Sequence, residues 1–382
     1  MASSSDVQRL DIDEDDVISR SIERLLDTRG RGGVERVALG GSPRAPLPDH
    51  VIEAARGAAA REGYAPSTGE PELREAIAAQ LESEGIDAKP ERILVTNGAM
   101  QALDISFRAL LLNGDGVLIP QPGFFIGGQV RQAGGRLVSL PSPETDRFRP
   151  DWGAADRVVD EGTRVLYVNT PVNPTGYVFR RSDVEAAIDL AERHDLAIVS
   201  DESYSRFVYG GLEHLSPASY AEARERTILI RSFSKDFAMP GWRLGYALLP
   251  SKSANSVMRA FEWACLCVNR TSQAAGLAAL TGPKGWTNAF VREAEVRARW
   301  VSEALDTIPG IRCTAPEGGL NALLGFDGDT ARLVSRLVLQ QGVPVHPGEA
   351  FGAPAYFRIQ FGADDATLRV AINRVRESVE SM

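Results

Sequence analysis

The sequence predicts an α/β protein. A large domain is built on a mostly parallel, seven-stranded sheet flanked by helices, and a small α+β C-terminal domain comes after it. Three observations lead there. Between about residues 50 and 250, short apolar runs of strand type alternate with segments of helical spacing, the order that produces a parallel sheet covered by helices. The segment 286–307 reads as one long amphipathic helix leading out of that domain. Beyond it come three more short strand candidates and a closing helix.

In chain order, residues 1 to about 16 read as a polar arm. A helix comes next at 17–26, where Val17, Ile18, Ile22, Leu25 and Leu26 recur at helical spacing, and Gly30, Gly32 and Gly33 end it. Strands are expected at 92–96, 116–119, 136–140, 164–169, 197–200, 227–231 and 245–248. Helices fit between most of them, at 71–84, 100–112, 124–133 and 181–194. The C-terminal part offers strands at 319–326, 343–345 and 356–361 and a helix at 365–379. The chain thus divides into an N-terminal arm and helix at 1–45, a large domain at 46–282 and a small domain at 283–382.

Composition narrows the function classes. Hydrophobic content of 43% and charged content of 24% are those of a globular protein. A net charge of -9 without a basic cluster argues against nucleic acid and anionic membranes as partners. No apolar run has transmembrane length, and the opening MASSSDVQRLDIDEDD lacks the basic and apolar regions of a signal peptide. Cys265, Cys267 and Cys313 form neither a metal pattern nor a disulfide framework. The expectation is a cytoplasmic enzyme without a metal.

The densest motif runs from Ser232-Phe233-Ser234-Lys235 to Gly241-Trp242-Arg243-Leu244-Gly245, with a lysine eight residues ahead of an arginine. A lysine held still and deprotonated captures carbonyls. An arginine beside two serines, Ser232 and Ser234, suits a phosphate. Together they describe an anchor for a phosphorylated aldehyde, and pyridoxal 5'-phosphate (PLP) is the obvious candidate.

The other polar motifs come after strand ends, where open α/β sheets bind ligands. Gly98-Ala99-Met100 opens a helix whose free N–H groups suit a phosphate, although many such units start with a glycine turn. Asn173, in Asn173-Pro174-Thr175-Gly176, sits in a stiff turn that either holds its amide against a ring or is simply a proline turn. Asp201, in Asp201-Glu202-Ser203-Tyr204, is either a helix cap or the partner of a protonated pyridine nitrogen. Tyr204 is then placed to donate to the phenolic oxygen. Phe124 suits ring stacking or the core, and Arg358 suits a carboxylate clamp or a surface ion pair.

These motifs, in this order, resemble the fold type I PLP enzymes, and specifically the class I/II aminotransferases, from about Val37 to the C-terminus. The resemblance implies that Lys235 carries the cofactor as a Schiff base, with Ser232, Ser234, Arg243 and the Gly98-Ala99-Met100 turn on its phosphate. It assigns Asn173, Asp201, Tyr204 and the stacking Phe124 to the ring, and Arg358, Asn173 and the backbone of Gly41 to the substrate. The stretch Tyr64-Ala65-Pro66-Ser67-Thr68-Gly69 is similar to the segment that lends a tyrosine to the neighbouring subunit's phosphate. A homodimer with composite sites is implied, the N-terminal residues packing on the small domain or the partner. The implied reaction moves an α-amino group between an L-amino acid and a 2-oxo acid, Lys235 acting as the base. Elimination, replacement, cyclisation or oxidation on the same scaffold is the alternative.

The sequence departs from the family on the substrate side. Where dicarboxylate-specific relatives place an arginine that reads the distal carboxylate across the dimer, the ungapped match puts Glu262, next to Trp263. An acid there repels acidic side chains and favours a cationic or extended polar substrate; a solvated glutamate on a helix face is the other reading.

Overall fold

The computed structural model describes residues 35–43, 46–61 and 63–382, and the arm and helix expected at 1–26 lie outside them. Seven strands make the larger sheet: β1 (Ile93–Thr96), β2 (Gly116–Gln121), β3 (Arg136–Pro141), β4 (Thr163–Asn169), β5 (Ala197–Asp201), β6 (Thr227–Ser232) and β7 (Gly245–Leu248). Their order is β1-β7-β6-β5-β4-β2-β3. The pairs from β6 through to β3 are parallel, and β7 alone runs against its two neighbours. The mostly parallel seven-stranded sheet expected from the alternating runs is present.

Both faces of this sheet are apolar because helices cover both. In β4, Val165 and Tyr167 pack with Leu103 and Phe107 of the helix Ala99–Leu110. The alternate residues Leu166 and Val168 pack with Val184 and Ile188 of the helix Arg181–Arg193. The helix expected at 124–133 is shorter, Gly127–Gln132. Its expected first turn is a tighter local turn instead, with Ile126 N–H donating to the Phe124 carbonyl at 2.8 Å.

The reversal of β7 brings a distant arginine to the sheet edge. Parallel strands all point their C-terminal ends to one edge, and an antiparallel strand begins at that edge. Gly245, the first residue of β7, therefore pairs with Thr96 at the end of β1 and with Ser232 at the end of β6. Arg243, two residues earlier, is thereby delivered beside the loop after β1.

The helix Gly285–Asp306, 22 residues long and roughly 33 Å at 1.5 Å per residue, leads to the second sheet. That sheet is antiparallel, with β8 (Ile311–Cys313), β9 (Asn321–Phe326), β10 (His346–Pro347) and β11 (Tyr356–Gln360) in the order β10-β11-β9-β8. The strand expected at 343–345 forms instead at His346–Pro347. Val343 N–H is already taken by the Leu337 carbonyl at 2.8 Å, and Val345 N–H by that of Val343 at 2.9 Å. The helices Thr330–Leu339 and Asp365–Glu380 supply Leu333, Leu337, Leu368 and Ile372 to a core with Phe357 and Ile359. Val37 joins the same core, and Gly362 N–H donates to the Gly40 carbonyl at 2.8 Å. This contact brings Gly41 and Ser42 to the gap between the two sheets.

Candidate active site

A cavity of about 300 Å³ opens at the C-terminal edge of the large sheet. Its lining includes Ala99, Met100, Phe124, Asn173, Asp201, Tyr204, Ser232, Ser234, Lys235, Arg243 and Arg358. Eleven residues singled out from sequence, scattered over 260 positions of the chain, thus meet in one place.

Each is placed by the element that precedes it. Ser232 ends β6 and caps the short helix Phe233–Asp236, its Oγ accepting from Ser234 N–H at 3.1 Å. Lys235, half-buried, lies in that turn, and its Nζ donates to Ser42 Oγ at 3.0 Å. The same Nζ stands 5.6 Å from the centre of the Tyr204 ring. Arg243 donates to the Pro240 carbonyl at 2.9 Å and to the Asn97 carbonyl at 3.3 Å. Gly98, just behind the lining, has φ +83°, which favours glycine, and a Cβ on it would come within 2.7 Å of an Arg243 nitrogen and push the end of that side chain aside. The helix that begins at Ala99 directs its unpaired first N–H groups toward the same edge.

Two buried charges face the cavity. Asp201 ends β5 and is 4% exposed. Its carboxylate accepts from Tyr167 Oη at 3.0 Å and from Ser203 N–H and Oγ at 3.1 and 2.6 Å. Among the described residues it has no cationic partner, and burial raises its pKa above the ordinary value despite these donors. The Ser203 contacts are those of a local turn, but the second oxygen is bound by Tyr167 from a neighbouring strand, so Asp201 does more than cap.

Arg358, in β11, is 3% exposed, which rules out a surface ion pair. One Nη donates to Asn173 Oδ1 at 2.9 Å, the guanidinium lies 4.8 Å from the Phe351 ring centre, and Nε has no hydrogen-bond partner among the described residues. No carboxylate pairs with it among the described residues, and burial lowers its pKa to about 10. Tyr204 is buried, its hydroxyl accepting from Asn321 Nδ2 at 3.4 Å. Phe124 packs against Phe125 with ring centres 4.3 Å apart.

Three further residues singled out from sequence lie off the lining. Gly41 meets it through Gln360, whose amide occupies the place a Cβ would take. Tyr64 is 80% exposed, and Glu262 lies on the exposed face of the helix Ala254–Cys265. These two belong to one surface: Ser67 Oγ donates to Glu262 Oε1 at 2.7 Å, and Arg270 donates to the Tyr64 carbonyl at 2.7 Å. Asn169, Ser203, Phe125 and Gln360, which the sequence motifs do not single out, also line the cavity. Gln360 had a signal, since it stands two residues after Arg358 in a strand. No group of three or more His, Cys, Asp or Glu residues suited to a metal occurs among the described residues.

The edge of the large sheet thus gathers a lysine, an arginine beside a glycine turn, a buried aspartate and a buried arginine around one cavity. The chain belongs to the class I and II aminotransferase family, whose model matches residues 39–375. It is 37% identical to the aspartate/prephenate aminotransferase of Thermus thermophilus, covering 92% of each chain. It is 34% identical to the probable aspartate/prephenate aminotransferase of Aquifex aeolicus, again over 92% of each. The solved aspartate aminotransferase of Thermotoga maritima superposes with a TM-score of 0.87 at 30% identity, covering 97% of both chains. The protein is an aminotransferase, with amino acids and 2-oxo acids as its substrates.

Proposed function

We propose that the cavity holds PLP bound through Lys235 and that the protein transfers α-amino groups between an L-amino acid and a 2-oxo acid. The observation that carries this reading is the pair of buried charges, Asp201 and Arg358, each without a counter-ion among the described residues, facing one cavity beside a lysine. A buried charge without a counter-ion is costly. A cofactor with a protonated ring nitrogen satisfies Asp201, and a substrate carboxylate satisfies Arg358. When bound, PLP supplies an aldehyde that captures the substrate amine and a ring that takes up the electron pair left by the departing α-proton.

The chain's own residues do the rest. Asp201 keeps the ring nitrogen protonated through a charge fixed by Tyr167 and Ser203. Arg243, Ser232, Ser234 and the N–H groups at Ala99 and Met100 hold the phosphate in the cradle made by Gly98. Phe124 would stack on the ring, and Asn173 and Tyr204 would hydrogen-bond its oxygen substituent. Arg358, steadied by Asn173, holds the substrate carboxylate so that the α-proton faces Lys235. Lys235 would take that proton as a general base and hold it for return as a general acid.

Three finer points belong to the same proposal. Tyr64 and Trp263, 80% and 88% exposed, flank the Ser67–Glu262 contact, and such paired exposed aromatics support a homodimer interface. Tyr64 then serves the partner's phosphate, and Glu262 turns toward the partner's substrate, where it disfavours acidic side chains. Three free cysteines support a reducing compartment, the cytoplasm. Turnover of glutamate and lysine in the same ratio by wild type and Glu262→Gln would remove Glu262 from the site.

The experiment is single-turnover aminotransfer with purified protein and added PLP. Wild type converts an amino acid to its 2-oxo acid, and Lys235→Ala loses the reaction while keeping its circular dichroism. Full activity in Lys235→Ala would refute the assignment.

A further inference from the structure

Arg358 and Gln360 are alternate residues of β11, so their side chains leave the same face of the small sheet, and both line the cavity. The Gln360 amide is fixed at its nitrogen end. Nε2 donates to Asn321 Oδ1 at 3.3 Å, and Asn321, 1% exposed, gives its own Nδ2 to the Tyr204 hydroxyl at 3.4 Å. The nitrogen also lies against the bare Cα of Gly41, where a Cβ would come within 2.1 Å of Nε2 but 3.4 Å of Oε1.

The Gln360 oxygen has no hydrogen-bond partner among the described residues, so an acceptor is the end left to the cavity. Turning the amide over would set Oε1 against Asn321 Oδ1, two acceptors face to face. Turning Asn321 as well would make the Tyr204 hydroxyl donate to Asn321 Oδ1, spending the hydrogen that the proposed cofactor's oxygen substituent takes. The cations among the described lining residues are Lys235, Arg243 and Arg358, each already committed to the proposed cofactor or to the substrate's α-carboxylate.

Resting on the reading of Arg358 as the α-carboxylate clamp, we infer that Gln360 sets the substrate class: an uncharged side chain ending in an N–H or O–H donor, in preference to its acidic isostere. A site that accepts a hydrogen bond leaves its acceptor facing another acceptor when a carboxylate enters, and such mismatches discriminate strongly.

The test is the kcat/KM of the amino-acid half-reaction for glutamine against glutamate and asparagine against aspartate. It uses the PLP-loaded wild type, Gln360→Leu and Arg358→Gln. Wild type is expected to favour the amide of at least one pair by ~10-fold or more. Gln360→Leu, which keeps the volume and removes the acceptor, brings that ratio below ~3-fold, mainly by slowing the amide. A wild-type preference for the acid in both pairs, or a ratio unmoved in Gln360→Leu, overturns the proposal alone, provided Arg358→Gln raises KM for both members of each pair. A silent Arg358→Gln overturns the clamp and the proposal together, and absence of turnover with every amino acid overturns both along with the aminotransferase reading.

Discussion

Asp201 and Glu202 are neighbours in the chain, both are buried, and their electrostatics are opposite. Strand alternation turns them to opposite sides of the sheet. Glu202, on the side away from the cavity, is met by Arg231 Nη2 at 3.0 Å, His214 Nε2 at 3.0 Å and Ser200 Oγ at 3.0 Å. Burial on its own would raise its pKa, but the charges of His214 and Arg231 outweigh it and hold the group down to about 2. Arg231 is shared with Glu84 at 2.6 Å, so this cluster is complete within the chain. Asp201 has hydrogen bonds but no cation among the described residues, and burial raises its pKa. The contrast separates a carboxylate whose counter-ions come from the chain from one whose counter-ion the proposed cofactor would supply: a buried charge kept for structure brings its partner with it.

Neutralising each acid puts that contrast at risk. Asp201→Asn is expected to slow aminotransfer by ~10²–10³-fold, the scale for losing one fixed electrostatic stabiliser. Without PLP its melting temperature should hold or rise, because an uncompensated buried charge is removed. Glu202→Gln should do the reverse, costing about 3–5 kcal/mol of stability by leaving Arg231 short of a partner. Denaturant titration and steady-state kinetics on both variants check the pair. Equal losses of stability in the two variants would erase the distinction.

A smaller effect bears on the same two groups. A depressed carboxylate pKa contributes stability that is present above its unfolded value of 4.5 and is lost as pH falls toward about 2. Acid unfolding of wild type should therefore steepen between those pH values, and Glu202→Gln should lack that component. The smallest effect concerns Asp236, beside Lys235, which is buried with one unpartnered oxygen and pushed up to about 7. A raised carboxylate weakens the fold as pH climbs from its unfolded 3.8 through about 7. Asp236→Asn should thus melt about 1–3 °C higher at pH 8, with little change at pH 4.

Much of this is legible in residue order. Strand β7 is expected at its observed limits, and the other six strands of the large sheet within a residue or two, because apolar runs closed by Gly, Asn, Asp or Ser mark strand ends directly. Lys235, Asn173 and Asp201 stand out because each closes or comes after such a run, and Arg243 stands out by its spacing from Lys235. What spacing does not supply is who stands opposite whom. The two readings of Asp201 and of Arg358 differ in what stands opposite each charge, a fact set by the packing of distant segments. Gln360 escapes notice because a glutamine in a strand looks like any solvent-facing polar residue. Only the approach of Gly41 and Asn321 gives it an orientation. The misplaced strand at 343–345 has a similar cause, since two valines at alternate positions do not reveal that their N–H groups are already engaged in local turns.

The role of Lys235 is open to a direct chemical trial: borohydride reduction of the PLP-loaded protein, then peptide mass spectrometry. The expected result is a pyridoxyl group on Lys235, with labelling that persists in Asp201→Asn but vanishes in Lys235→Ala. A pyridoxyl group on another lysine, or none on the wild type, would contradict the assignment.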